Sequence, residues 1–119
     1  LVVFDEPTSF LDPLSAQGIF NVISTLNKEL QITVIIVEHR LDLASLFADR
    51  VIVLDNGIVA MDGNPREVFV SEKTRLMGVG VPKATRLFQM LKEEGIPVSR
   101  LPVTVSEAAH EVRSLMQHD

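Results

Sequence analysis

The stretch Leu1 to Asp12, LVVFDEPTSFLD, constrains the fold of this chain more than any other. Four apolar residues run into Asp5, Glu6 and Pro7, the pattern of a buried strand ending in a sharp turn with two carboxylates at its tip. On an extended backbone neighbouring side chains point to opposite faces, so one acid can hold a metal ion while the other faces a water or a substrate. Two adjacent acids specify no more than that on their own.

The residues that follow read as a helix and a second strand. Asp12-Pro13 is a helix start, with Asp12 as N-cap and Pro13 at the first helical position, and the helix is expected to run to about Glu29. Ile19, Phe20, Ile23 and Leu26 recur along it at three- and four-residue spacing, an apolar stripe for packing on a sheet. Gln31 turns the chain. Thr33 to Val37, TVIIV, is a β-branched run typical of a strand buried on both faces of a parallel sheet, and it ends at Glu38-His39. In such a β-α-β unit the strands run parallel and finish on the same sheet edge, where open α/β folds place their ligands. Glu6 and His39 are therefore expected on one rim.

A short helix from about Leu41 to Ala48 and a third strand from Arg50 to Asp55 come next. Asn56-Gly57 is a strong hairpin signal because both central residues of a type I′ turn need positive φ. Ile58 to Met61 is expected to pair antiparallel, and Pro65 to open a helix carrying Val68 and Phe69. This α/β unit is assigned residues 1–71.

Residues 72–119 lack a long β-branched run and form two helical patterns around a loop. Pro82 begins the first, with Leu87, Phe88 and Leu91 on one face and Gly95 after its end. Thr104 and Glu107 make a capping box for the second, whose stripe is Ala108, Val112, Leu115 and Met116. Two short amphipathic helices barely bury themselves alone, so they are expected to pack on the α/β unit or on another chain.

Composition narrows the classes. The 119 residues, 46% hydrophobic, suit one compact domain or one unit with an appendage. A formal charge of -5 and a pI near 5.1 argue against a nucleic-acid or anionic-membrane surface but are compatible with an acidic Mg-nucleotide site. With no Cys there are no disulfides or thiolate metal sites, which fits a reducing compartment. No apolar run approaches the roughly 18 residues of a membrane span, and no basic region of a signal peptide opens the chain. The chain is expected to be soluble, and, since it starts on Leu inside a strand-like run, it is expected to be a fragment.

Together these segments reach a family. LVVFDEPTSFLD closely resembles the Walker B segment and D-loop of ATP-binding-cassette (ABC) ATPases, and TVIIVEHRLD resembles their H-loop. RVIVLDNGIVAMDGNPREVF looks like the hairpin and helix that follow it. Three ordered elements at consistent spacing over about the first 70 residues are more specific than any one of them. PKATRLFQMLKEEGIP and LPVTVSEAAHEV resemble the tail of the energy-coupling-factor (ECF) subfamily of importers, where the tail helps two ATPase subunits contact each other.

The resemblance implies an α/β fold, the C-terminal half of a P-loop NTPase fold with parallel strands, a crossover helix and an antiparallel hairpin, plus a small helical C-terminal extension. It implies ATP and Mg²⁺ as cofactors, with Asp5 orienting Mg²⁺ through bound water and Glu6 polarising the water that attacks the γ-phosphate. His39 would hydrogen-bond that phosphate and link it to Glu6. Ser9 and Asp12 would form the D-loop that crosses to a second ATPase, although Asp12 is also explained as a helix cap. Phe10 departs from the small residue common at its position. Glu38, Arg40 and Asp42 match the family string but read more simply as solvated charges after a strand. His110 and His118 lack acidic or Cys partners and read as surface residues, with no transition-metal site expected.

The implied partners are a second ABC ATPase subunit and a transmembrane coupling subunit, with no nucleic acid and no membrane span of the chain's own. The implied location is cytoplasmic, peripheral on the inner face of the cell membrane. The sequence contains neither G-x-x-x-x-G-K-[ST] nor L-S-G-G-Q, so these residues alone are expected not to turn over ATP. A soluble ABC-type ATPase of DNA repair or chromosome maintenance, and a non-catalytic dimerisation or regulatory module, stay open as alternatives.

Overall fold

The computed structural model describes residues 1–117. Strand β1 (Val2–Asp5) and strand β2 (Val34–Val37) pair in parallel, with Val2 opposite Val34 and Asp5 opposite Val37. The backbone N–H of Glu6 donates to the Val37 carbonyl at 2.8 Å and carries the ladder one residue past β1. Helix α1 (Pro13–Leu30) connects them. It starts where the sequence indicates, since Asp12 accepts from the Ser15 N–H at 3.1 Å, and it ends one residue later than expected.

Of the stripe on α1, Phe20 and Ile23 are buried together with Ala16, while Ile19 and Leu26 stay partly exposed. The Phe20 ring meets Phe47, on helix α2 (Leu41–Phe47), at a centroid distance of 5.4 Å, which fastens the two helices together. Strand β2 is not buried on both faces. Val34 and Ile36 are half-buried, but Ile35 and Val37 are about half exposed. A two-stranded sheet offers too little neighbouring structure to cover both of its faces.

Strands β3 (Val51–Asp55) and β4 (Ile58–Gly63) form a separate antiparallel sheet. Asn56 and Gly57 at its turn have φ of 49° and 78°, the two positive values that Asn-Gly supplies at low steric cost. The register steps between Val53 and Leu54, so that Ala60 is the extra residue of a bulge. Arg50 and Asp62 close the open end of the hairpin with two bonds of 2.6 and 2.7 Å.

Asn64 and Glu67 form a reciprocal capping box for helix α3 (Pro65–Phe69). Helix α4 (Glu72–Leu76) was not expected from the sequence; the Ser71 side chain caps it by accepting from the Lys73 N–H at 3.2 Å. Helices α5 (Lys83–Glu93) and α6 (Val105–Met116) follow. Val53, Val68, Phe69 and Val103 form one buried cluster, which joins the hairpin, α3 and the loop before α6. Arg66 on α3 adds polar links to the same loop, donating to the Leu101 carbonyl at 3.0 Å and pairing with Glu107.

Helix α6 faces inward differently from its apolar stripe. Val112 and Met116 are exposed, whereas Glu111 is only 6% exposed. Its carboxylate accepts from the Ser99 N–H at 2.8 Å, the Ser99 hydroxyl at 2.7 Å and the Arg100 N–H at 3.3 Å. The loop's backbone donors need an acceptor, and Glu111 meets that demand from the face it shares with the half-buried Ala108 and Leu115. The expected capping box is half made: Thr104 accepts from the Glu107 N–H, but the Glu107 carboxylate turns to the Val103 N–H at 2.8 Å and to Arg66.

The radius of gyration, 15.7 Å, exceeds the about 13.5 Å of a compact domain of this length. The excess fits two small sheets that share no ladder and leave apolar side chains such as Val3, Ile35 and Leu54 in water.

Candidate functional site

The parallel register brings the ends of β1 and β2 to one edge. Asp5 still lies in the strand, but Glu6 does not continue it: its φ is 48°, in the left-handed region. The expected extended alternation of Asp5 and Glu6 therefore fails at Glu6, because the chain must reverse at once to enter the turn. Ser9 N–H returns to the Glu6 carbonyl at 3.3 Å and Leu11 N–H to the Thr8 carbonyl at 3.1 Å. A bulky residue held at positive φ is a local cost that the surrounding contacts must offset.

This reversal directs the Glu6 carboxylate toward β2, where its Oε1 lies 2.6 Å from His39 Nε2. The His39 side chain is 81% exposed and that of Glu6 41%, so both remain open to a ligand. With Nε2 protonated the imidazole donates to the carboxylate, leaving the second carboxylate oxygen free to accept from a water.

Asp5 is exposed, and among the described residues its carboxylate has no side-chain partner. No group of three or more His, Asp or Glu among the described residues is arranged to hold a metal ion. A free carboxylate on an open rim fits Mg²⁺, which keeps much of its water shell and takes one or two carboxylates plus substrate oxygens.

Ser9 and Asp12 stand farther along the turn. The Ser9 hydroxyl donates to the Glu6 carbonyl at 3.2 Å. Asp12 is committed to α1, accepting from the Ser15 N–H at 3.1 Å and the Ser15 hydroxyl at 2.5 Å, and these donors hold its carboxyl below the ordinary carboxylate range. Phe10 between them is fully exposed. The structure thus brings Glu6 and His39 together beside Asp5 and does not bring Ser9 or Asp12 to the Glu6 carboxylate.

Three further residues hold the rim in shape. Thr8 is completely buried, and its hydroxyl donates to Glu38 Oε2 at 2.7 Å. Glu38 Oε1 accepts from the backbone N–H of His39 at 2.9 Å and of Arg40 at 3.3 Å. The Arg40 guanidinium donates to the Leu11 carbonyl. Glu38 and Arg40 are therefore bonded rather than simply solvated, and so is Asp42, which accepts from the Lys83 N–H. The sequence held a signal for Glu38. It continues the alternate series Val34, Ile36 of β2 onto the half-buried face, where a carboxylate needs donors.

No family model matches the chain. Among individual proteins, it is 42% identical over 107 residues to the energy-coupling factor transporter ATP-binding protein EcfA1 of Caldanaerobacter subterraneus, covering 89% of this chain and 38% of that protein. It is 37% identical over 117 residues to a putative ABC transporter ATP-binding protein of Methanosarcina acetivorans, covering 98% of this chain and 36% of the relative. The chain thus spans little more than a third of the length of these relatives. Among solved structures it is similar to cbiO1 of Clostridium perfringens, described as part of the ABC transporter complex cbiONQ, with a TM-score of 0.56 and 33% identity over 76% of this chain and 36% of that one. The α/β architecture is that of the P-loop NTPase fold of ABC ATPases. By sequence and by fold, the chain is similar to a little over a third of the length of ATP-binding proteins of ABC transporters, with energy-coupling-factor ATP-binding proteins among these relatives.

Proposed function

We propose that this chain supplies the hydrolytic rim of the ATP-binding subunit of an ECF-type importer, which couples ATP hydrolysis to transport. The observation that carries the reading is the 2.6 Å contact between Glu6 and His39 at the ends of two parallel strands, beside the open Asp5. Glu6 accepts a hydrogen bond from the attacking water and takes up its proton as the water oxygen bonds to the γ-phosphorus and ADP leaves, and His39 orients the Glu6 carboxylate while offering its ring to the γ-phosphate. Asp5 is the residue that would hold Mg²⁺, and the ion, when bound, would supply positive charge for the phosphate oxygens.

The 119 residues hold no phosphate cradle and no signature sequence, so they are not expected to turn over ATP alone. Ser9 and Asp12 belong to the turn that would face a second ATPase subunit, and a transmembrane coupling subunit would receive the motion. This reading places the assembled protein at the cytoplasmic face of a membrane. Among the described residues no helix is long and apolar enough to cross it. In the full-length subunit, Glu6→Gln is expected to lower kcat about 100-fold or more while ATP still binds. Turnover unchanged in Glu6→Gln would overturn the assignment.

A further inference from the structure

We propose that Glu38, held by the buried Thr8 hydroxyl, is a positioning residue that fixes His39 against Glu6 and joins the turn after β1 to the turn after β2. This inference rests on the hydrolytic reading of Glu6 and His39. The side chains of that pair are both well exposed, and an exposed side-chain contact has little in its surroundings to define its geometry. The definition must come from elsewhere.

Glu38 divides its carboxylate between two tasks. Oε2 takes the hydroxyl of Thr8, a residue with no exposure, in a bond that spans the two turns. Oε1 takes the backbone N–H groups of His39 and Arg40 at 2.9 and 3.3 Å, just where the β2 ladder has ended. Arg40 stands at the N-cap of α2 and supplies no side-chain cap. The carboxylate thus takes the place of a ladder partner and sets the backbone from which the imidazole projects. The Arg40 guanidinium returns to the Leu11 carbonyl, so a second bond ties the two turns together. A displacement of about 1 Å at a reacting group can cost about 100-fold in rate, so a rim held this way translates backbone position into turnover.

The test uses the full-length subunit with Thr8→Val, Glu38→Ala, Glu38→Gln and the double variant Thr8→Val/Glu38→Ala, beside Glu6→Gln. Steady-state kcat, KM for ATP and thermal midpoints are measured for each. The expected result is a kcat lowered about tenfold or more in Thr8→Val and Glu38→Ala, with KM within about twofold. The double variant falls no further than the worse single one, since both cut the same link. Glu38→Gln, which keeps one acceptor oxygen, recovers part of the loss. Unchanged kcat in Thr8→Val and Glu38→Ala, with Glu6→Gln inactive, would overturn the positioning role and leave the hydrolytic site standing. Losses that multiply in the double variant, or a rise in KM matching the fall in thermal midpoint, would also overturn it. Should Glu38→Ala fail to fold, Thr8→Val, close to the native side chain in shape, carries the test. An active Glu6→Gln protein would instead overturn the reading on which the proposal rests.

Discussion

The Asp42 carboxylate on α2 accepts the backbone N–H of Lys83, the first residue of α5, at 2.9 Å and across 41 positions of sequence. The N-cap of α5 is Pro82, which has no side-chain acceptor, so the cap is supplied by a distant helix. Replacing Asp42 by Ala is expected to cost about 1 kcal/mol of stability, the usual loss on removing a cap. Denaturant unfolding measures the loss, and hydrogen exchange should place it in the first turn of α5. Asp42→Asn, which keeps an acceptor, should retain most of the stability.

Gln31 ends α1 with φ of 51° and ψ of 39°, a left-handed position that glycine takes at lower cost. Gln31→Gly is expected to raise stability by about 0.5 kcal/mol, the relief of strain exceeding the entropy that glycine adds to the unfolded chain. Gln31→Val, with its branched Cβ, should lower it. Unfolding midpoints of the three proteins decide the matter.

Glu111 is buried beneath the loop before α6, and donation from the Ser99 hydroxyl, then from the Ser99 and Arg100 N–H groups, holds its carboxyl below the usual range. A carboxyl depressed by folding contributes stability above its unfolded pKa of about 4.3, and that contribution is lost as pH falls through the folded value. Stability should therefore decline from about pH 5 downward. Asp12, Asp62 and Glu72 shift in the same direction and add to the decline. The share of Glu111 is read as a difference: Glu111→Gln should be less stable near neutral pH and show a shallower acid slope.

Phe69 lies at the meeting of the hairpin, α3 and the loop before α6, with 1% of its surface exposed. Truncation to Ala should cost about 3–5 kcal/mol through lost burial and a cavity. Phe69→Leu should cost less. The same variants should loosen residues near Val103, which hydrogen exchange can follow.

The features legible in the sequence are those written in local signals. The Asp12-Pro13 start of α1, the Asn56-Gly57 turn and the two strands that deliver Glu6 and His39 each depend on neighbouring residues and on periodicity. The inward face of α6 was not legible, because Glu111 is drawn in by backbone donors at Ser99 and Arg100 that no pattern on the helix reveals. Helix α4 spans only five residues and lacks an apolar stripe, so its Ser71 cap was the available signal. At the site, the roles of Thr8 and Glu38 depend on a contact between two turns 30 positions apart, whereas the positive φ of Glu6 follows from the reversal that the contact requires.

The shared ladder of β1 and β2 also separates what can drift from what cannot. Glu6 and His39 are placed by counting one residue past Asp5 and two past Val37 on paired strands, and the 18-residue α1 between them contributes no term to that count. A change in the length of the connection, if Asp12 still caps the helix and Phe20 still reaches Phe47, leaves the rim where it is. One residue added inside β1 slips every side chain to the opposite face and carries Glu6 away from His39. Homologous chains are thus expected to tolerate insertions around Gln31 and to show none between Val2 and Glu6.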